Sequence, residues 1–298
     1  MERTRDLQHH SCEKNLNGWI NGFIGVVIFS ASLPATKVAV LEFDPVFLTL
    51  ARATIAGVLA LAMLGLLKAR RPERIQLVPL LLVATGVVVG FPLLTALALQ
   101  HVTSAHTIVF LGLLPLSTAA FAVVRGGERP RPAFWCFSIL GSTCVVAYAI
   151  SQGLKAAPEG DILMLLAVLI CGLGYAEGAK LSRTLGGWQV ISWALVLSLP
   201  VMAPLAWLWA PSSFAGVHLP AWLGLAYISV FSMLIGFVFW YRGLAQGGIA
   251  AVGQLQLLQP FFGLALAATL LHETISLGMF GVTAAVILCV IAARKFSR

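Results

Sequence analysis

The chain has 298 residues, of which 59% are hydrophobic and only 10% are charged, and its mean hydropathy is +0.95. A soluble domain carries about 25% charged residues, so this composition excludes an ordinary water-soluble protein and predicts a chain whose solvent is lipid. The net charge of +8 does not indicate nucleic-acid binding, because the basic residues lie in short loops between apolar runs.

Ten apolar runs follow one another along the chain, each close to the ~20 residues that a helix needs to cross a bilayer. A polar joint separates the fifth run from the sixth. We therefore predict an all-α integral membrane fold of about ten transmembrane helices. The predicted runs cover residues 19–40, 46–67, 76–99, a fourth segment ending near 124, 133–150, 160–181, 188–210, 219–241, 249–271 and 275–293.

The second half of the chain echoes the first. Shifting the sequence by 145 residues places Pro115 on Pro260 and Glu128 on Glu273 without a gap. Duplicated membrane bundles are typical of transporters. The predicted organisation is therefore a tail at residues 1–17, five-helix repeats at 18–152 and 153–294, and a second tail at 295–298.

Loop charges predict the orientation. The basic loops at residues 68–74 and 125–132 fall on the same side as both termini, and basic loops stay in the cytoplasm. Both tails are therefore expected to be cytoplasmic, and the N-terminal one mobile. Because five helices per repeat is an odd number, the halves insert in opposite orientations, which predicts an inverted repeat around a central cavity.

Several motifs together resemble the drug/metabolite transporter superfamily, in its EamA branch. Residues 30–37 read SASLPATK, Glu128 begins ERPRPAFWCFSILGSTCVVAYA and Glu273 begins ETISLGMFGVTAAVILCVIA, with Pro115 and Pro260 at matching places. The similarity covers about residues 19–293. It implies a multi-pass carrier of a bacterial-type inner (plasma) membrane that works by alternating access and often exports amino acids or related metabolites.

The ninth run carries three amides, Gln254, Gln256 and Gln259, just before Pro260. An amide in lipid costs free energy unless it faces a partner or water. We therefore predict that these glutamines line a substrate cavity.

Other polar and aromatic residues are further candidates for substrate binding. Tyr175 lies deep in the sixth run, whereas Trp240 and Tyr241 lie near the end of the eighth, where they either stack on a substrate or form an interfacial belt. His106 either titrates near neutrality or sits at the interface. Two serines of the first run either bind substrate or bond their own helix backbone: Ser30 and Ser32.

Charged residues inside the runs are candidates for coupling or gating. Glu177 either couples protons or binds a substrate ammonium, or it forms an ion pair with Lys180 at i+3. Lys37 either contacts substrate or extends to the interface. Arg52 is expected to pair with one of the acids of the turn at residues 42–44.

Pro34, Pro115 and Pro260 are expected to kink their helices and let the halves rock. The five cysteines are scattered without a CxxC pair, so neither a disulfide framework nor a metal site is predicted, and no cofactor is.

The predicted function is export of amino acids, with aromatic or hydrophobic ones as candidates. The alternative is proton-coupled export of multiple drugs or lipophilic cations. The chain has no G-x-x-x-x-G-K-[ST], HExxH or GxSxG motif, so neither an ATP-driven pump nor an enzyme is expected. The expected partners are a small solute and the lipid bilayer, with no nucleic acid, and the expected state is a monomer or weak dimer.

Overall fold

The computed structural model describes residues 2–98, 101, 110–151, 158–259, 261–263, 265–266 and 277–297, with the backbone alone at 2–15, 33, 37, 149, 277, 279 and 280. All regular structure in these ranges is helical. The α-helices are Glu2–Ser30 (α1), Ser32–Val40 (α2), Pro45–Leu66 (α3), Arg74–Val83 (α4), Phe91–Ala98 (α5), Leu114–Val124 (α6), Pro132–Ser151 (α7), Pro158–Leu185 (α8), Gly187–Leu208 (α9), Leu219–Tyr227 (α10), Gly236–Gly247 (α11), Ile249–Gly253 (α12) and Leu277–Lys295 (α13).

Six helical stretches of the described chain are long and apolar enough to cross a membrane, and two shorter apolar helices accompany them. The protein is therefore a multi-pass membrane protein. The predicted count of ten stays a prediction, because the ninth and tenth runs extend into residues outside the description. The long stretches are Leu16–Val40, Pro45–Leu66, Arg74–Ala98, Pro158–Leu185, Gly187–Leu208 and Leu219–Gly247, and the short ones are Leu114–Val124 and Pro132–Tyr148.

The N-terminal tail has a helical backbone, and its expected mobility remains a prediction. The backbone is helical from Glu2 onward and runs without interruption into α1. Residues 2–17 contain neither Gly nor Pro, so nothing in them breaks a helix.

Two π-helices each join a pair of consecutive α-helices. Ala84–Gly90 joins α4 to α5, and Ile228–Ile235 joins α10 to α11. π-turns inside longer helices frequently mark functional sites. A 3₁₀-helix, Gln254–Leu258, continues α12.

The helix contacts can be compared with the predicted duplication, which remains a prediction. α1 packs along α11, and α8 packs along α4, α5 and the π-helix between them. Exchanging the two halves turns one of these pairs into the other. Two further interfaces, α3 with α9 and α7 with α13, each join helices that the predicted duplication would relate to one another.

The α1–α11 crossing depends on small residues. A Cβ on Gly243 would lie 2.5 Å from the backbone nitrogen of Gly22, so Gly243 has no room for a side chain. Close backbone approach through glycine is a common way to pack helices within a membrane.

The helix starts are set by local chemistry. Asp44 caps α3 by accepting hydrogen bonds from the N–H groups of Val46 and Phe47, both at 2.9 Å, and Pro45 fills the first position. Gly186 and Gly248 adopt positive φ of 85° and 97°, which allows the sharp turns into α9 and α12.

Candidate functional site: a central cavity

A cavity of about 270 Å³ lies between helices from both halves of the chain, and we call it the central cavity. α2, α3, α5, α8 and the π-helix Ile228–Ile235 contribute most of its walls. The lining is mainly apolar with a few polar groups, as in most small-molecule sites. Its polar side chains are Ser32, Thr36, Thr49, Arg52, Thr95, Tyr175, Ser232 and Gln259.

Arg52 is the one charged side chain among the described residues that line the central cavity. Its Nε is buried and has no hydrogen-bond partner in the part of the chain that the structure describes. Arg52 as a whole is partly exposed, and it is among the residues that line the central cavity.

The expected ion pair of Arg52 with the neighbouring acidic turn is wrong. Asp44 caps α3, and Glu42 accepts a hydrogen bond from the backbone N–H of His218 and lies 3.1 Å from its Nδ1. Both acids therefore bond to other groups at the ends of the helices, whereas Arg52 lies two turns deeper in α3.

The hydroxyl groups of the cavity differ in their partners. Ser32 donates to Ser232 at 2.8 Å, which ties α2 to the π-helix Ile228–Ile235. Thr49 donates to the Pro45 carbonyl of its own helix at 2.9 Å. The buried hydroxyl of Thr95 has no partner among the described residues, so it has bonding capacity left for a solute.

Aromatic side chains form one wall. The rings of Phe29 and Phe237 are 5.0 Å apart, and the ring of Tyr175 is 6.0 Å from that of Phe237. Phe91 completes the aromatic part of the lining. This wall offers an apolar surface beside the polar groups.

Three of the predicted substrate-binding residues, Ser32, Tyr175 and Gln259, line the central cavity. Ser30 does not, since its buried hydroxyl donates to the Val26 carbonyl one turn back, which is the alternative weighed for it.

Trp240 and Tyr241 are also absent from the lining, and both are fully buried instead of forming an interfacial belt. Trp240 packs against Phe29 and Tyr175, with ring centroids 6.2 and 5.5 Å apart. Tyr241 donates to the Gly174 carbonyl at 3.3 Å. These rings support the aromatic wall from behind.

Gln254 and Gln256 are buried, at 0% and 2% exposure, yet they are not part of the described lining. Neither amide has a hydrogen-bond partner in the described chain, although the Gln256 amide faces the Tyr175 hydroxyl. Both amides are therefore buried, as the prediction assumed, but they do not belong to the described lining of the central cavity.

The opposite end of the bundle is closed by ion pairs that join the two halves. Arg125, which follows α6, pairs with Glu177 of α8. Glu128 accepts from the backbone N–H groups of Ile249 and Ala250, at 2.7 and 2.8 Å. Its Oε1 also accepts from Nη2 of Arg183 at 3.1 Å. We call these contacts the ionic latch.

The ionic latch corrects the expected pairing of Glu177 with Lys180. Lys180 is exposed, and Arg125 is the partner of the buried carboxylate. Glu177 is also absent from the described cavity lining, so it does not face a solute there.

The predicted prolines have separate roles. The break at Ala31 between α1 and α2 lies three residues before Pro34, which cannot donate to the Ser30 carbonyl. Pro115 is the second residue of α6, where a missing N–H costs nothing, and it follows a break at residues 112 and 113 that separates α6 from the helical residues 110 and 111. His106 and Pro260 lie outside the described residues, as does the side chain of Lys37.

The sequence analysis missed Thr36, Thr49, Phe91, Thr95 and Ser232. For the first four the available signal is helical spacing: Ser32 and Thr36 are one turn apart, as are Phe91 and Thr95, and Thr49 lies one turn before Arg52. Arg125 was assigned only to a basic loop, because its partner lies 52 residues away.

Comparison with known proteins gives consistent matches. The model of the EamA-like transporter family matches residues 16–149 and again residues 158–294. A protein of Bacillus subtilis (strain 168), named uncharacterized transporter YdeK, is 65% identical over 285 residues, which is 96% of this chain and 99% of the relative.

Two more distant matches extend the comparison. A protein of Streptantibioticus cattleyicolor, named a probable terminal-alkyne amino-acid exporter, is 23% identical over 230 residues, 76% of each chain. A solved crystal structure superposes with a TM-score of 0.77 at 21% identity, covering 93% of this chain and 96% of that one. At this identity the superposition shows the fold alone.

Proposed function

Because the chain belongs to the EamA-like transporter family, we propose that it is a secondary carrier that exports amino acids by alternating access. The observation that carries this proposal is the composition of the central cavity, which combines a guanidinium, several hydroxyls and an aromatic wall. A volume of about 270 Å³ lies just under the usual range for drug-sized ligands, so it favours a small metabolite.

The two ends of the bundle support alternating access. The described cavity lining comes from the end that carries the turn between α2 and α3, whereas the ionic latch lies at the other end. Rocking of the halves would break the latch and close the cavity end. We propose an inverted five-plus-five repeat for this motion, supported by the two family matches and the exchangeable helix pairs.

We place the protein in a bacterial-type inner membrane with both termini in the cytoplasm. The basic loops and the ionic latch are then cytoplasmic, and the cavity opens to the outside. This is the state in which an exporter releases its solute.

Export of lipophilic cations is the rival function. A cation site needs an acid that faces an aromatic pocket, but no acidic side chain is among the described lining residues, and Arg52 repels a cation. Glu177, the acid expected to serve such a site, is held by Arg125. The name of the relative from Streptantibioticus cattleyicolor also supports an amino-acid substrate.

Counterflow in proteoliposomes tests the proposal. Vesicles loaded with a mixture of unlabelled amino acids should accumulate labelled phenylalanine, leucine or threonine from outside, and labelled tetraphenylphosphonium should not exchange. Ala96→Trp, which fills the central cavity, should abolish exchange, while Leu169→Trp on the exposed side of α8 should not. Exchange of tetraphenylphosphonium without any amino acid would refute the amino-acid proposal.

A further inference from the structure

We propose that Arg52 binds the carboxylate of the transported solute, so that the central cavity selects solutes by this group and rejects analogues that lack it. The inference rests on the proposed function and adds the feature of the substrate that is recognised. It concerns one side chain and the polar groups that share its cavity.

The first argument is the absence of an internal counter-ion in the described chain. A buried charge is expensive unless it is paired, and a lone cation among apolar helices is retained when a function needs it. The acids nearest along the chain bond to His218 and to the start of α3, and Glu177 bonds to Arg125. The structure thus leaves the guanidinium available to a solute.

The second argument is geometric. A guanidinium presents its donors in a planar fork that matches both oxygens of a carboxylate, which a single ammonium group cannot do. Arg52 Nε is buried without a partner among the described residues, and Arg52 is part of the cavity lining. A carboxylate bound in the cavity would neutralise the charge of Arg52 and could accept hydrogen bonds from its guanidinium.

The third argument concerns the rest of the solute. The hydroxyls of Ser32, Ser232 and Thr95 and the amide oxygen of Gln259 line the same cavity and can accept hydrogen bonds from an ammonium group. The aromatic wall can take an apolar side chain. A zwitterion with one apolar substituent therefore uses all three parts of the cavity.

A competition series tests the role of Arg52 without any substitution. Counterflow of labelled phenylalanine, leucine or threonine is measured with three unlabelled competitors in turn. These are the same amino acid, its methyl ester and its decarboxylated amine. In wild-type vesicles the ester and the amine should compete at least about tenfold more weakly than the acid, because they cannot form the charge-assisted pair.

Variants at position 52 localise the effect. Arg52→Gln should weaken competition by the amino acid about ten- to a hundredfold, so that the acid and its ester become nearly equal competitors. Arg52→Lys should retain part of the preference for the acid. Arg71→Gln, in an exposed loop, is the matched control and should behave as the wild type. Thermal unfolding of each purified variant establishes that it is folded.

The outcomes separate the two proposals. Equal competition by acid, ester and amine in wild-type vesicles that exchange amino acids would overturn the role of Arg52 and leave amino-acid transport standing. An unchanged acid preference in Arg52→Gln would do the same. Exchange of tetraphenylphosphonium with no carboxylate-bearing solute would overturn both proposals.

Discussion

The carboxylate of Glu177 is paired with the guanidinium of Arg125, although 52 residues separate them and Lys180 is only one turn away. The two side chains are unequally placed: that of Glu177 is 1% exposed, whereas that of Arg125 is 44% exposed. The pair joins the end of α6 to α8 and forms part of the ionic latch. Glu177 therefore contributes to the contact between the two halves at the end of the bundle away from the cavity.

Replacing Glu177 by Gln should destabilise the protein, because the variant removes the charge that Arg125 neutralises. Breaking a fully buried pair costs about 3–5 kcal/mol, and the half-exposed Arg125 reduces this to about 1–3 kcal/mol through solvent screening. Thermal unfolding in detergent should show a lower Tm for Glu177→Gln and an unchanged one for Lys180→Gln.

Glu159→Gln is the matched control for Glu177, since the Glu159 side chain is 81% exposed and its partner His101 is 3.4 Å away. It should change the Tm little. A Glu177→Gln protein as stable as the wild type would contradict the described pairing.

Removing the contacts of Glu128 should open the end of the bundle where the ionic latch lies. Glu128→Ala loses two contacts to α12 and one to Arg183, whereas Glu128→Gln keeps one acceptor oxygen, so the effect should be larger for Ala. The measurement is maleimide labelling of Ser182→Cys, a buried position beside Arg183, with the native cysteines replaced by alanine. Labelling should be fastest in Glu128→Ala.

Ser213→Cys serves as the control for this labelling, because it lies in the exposed segment between α9 and α10. It should react equally fast with and without Glu128→Ala. Equal labelling of Ser182→Cys in all Glu128 variants would mean that Glu128 does not hold this end closed.

The sequence predicted the membrane class, most span limits and three cavity residues because these follow from the cost of polar groups in lipid. Ser32, Tyr175 and Gln259 are polar within apolar runs and do line the cavity. The pairing of Glu177 did not follow, because α6 and α8 are brought together only by the tertiary packing. A local i+3 pair was the best candidate that one helix could offer.

Thr95→Val should weaken solute binding without loss of stability. The buried Thr95 hydroxyl has no partner in the described chain, so the isosteric change removes an unsatisfied polar group from the folded protein. If the hydroxyl bonds the solute, the apparent affinity in counterflow should fall about three- to fifteenfold.

Thr54→Val is the matched control, because its hydroxyl donates to the Leu50 carbonyl of its own helix at 2.8 Å and is not in the cavity lining. It should leave the affinity unchanged. Equal affinities for Thr95→Val and the wild type would remove Thr95 from the site.

Gly243→Ala should disrupt the α1–α11 crossing. The added methyl group would lie 2.5 Å from the nitrogen of Gly22, and overpacking of this kind costs about 1–3 kcal/mol. Gly65→Ala is the control: its added methyl group meets nothing within 4 Å, so it should stabilise α3 by about 0.5–1 kcal/mol. The two variants should shift the Tm in opposite directions, and a shift in the same direction would contradict the crossing.

The pKa of Glu42 should make the contact between the α2–α3 turn and the start of α10 depend on pH. The backbone N–H of His218 lowers the pKa of Glu42 below its ordinary value of 4.5, and the His218 side chain lowers it further, against a partial rise from desolvation. A lowered pKa means that the stabilisation is present above pH 4.5 and is lost as the pH falls through the folded-state value.

The test is the Tm difference between wild type and Glu42→Ala from pH 6 to pH 3. The difference should be largest above pH 4.5 and should shrink toward pH 3. A difference that grows on acidification would have the wrong sign for this account.

Aromatic residues show the limit of reading one helix at a time. Trp240 and Tyr241 lie in a run that is apolar on every side, so the sequence does not indicate which face points inward. In the fold both are fully buried against α8 and α1, where they support the wall that Phe237 and Tyr175 present to the cavity. Gln254 and Gln256 show the converse, since their burial was predictable but their position relative to the cavity was not.

Substrate protection of a cysteine in the central cavity tests most directly whether the solute binds there. Thr36→Cys lines the cavity and Ser213→Cys does not, and both react with a small methanethiosulfonate reagent in a background without native cysteines. The amino acid that exchanges best in counterflow should slow the reaction at position 36 in a saturable manner and leave position 213 unaffected. Identical rates at position 36 with and without saturating amino acid would contradict the central claim.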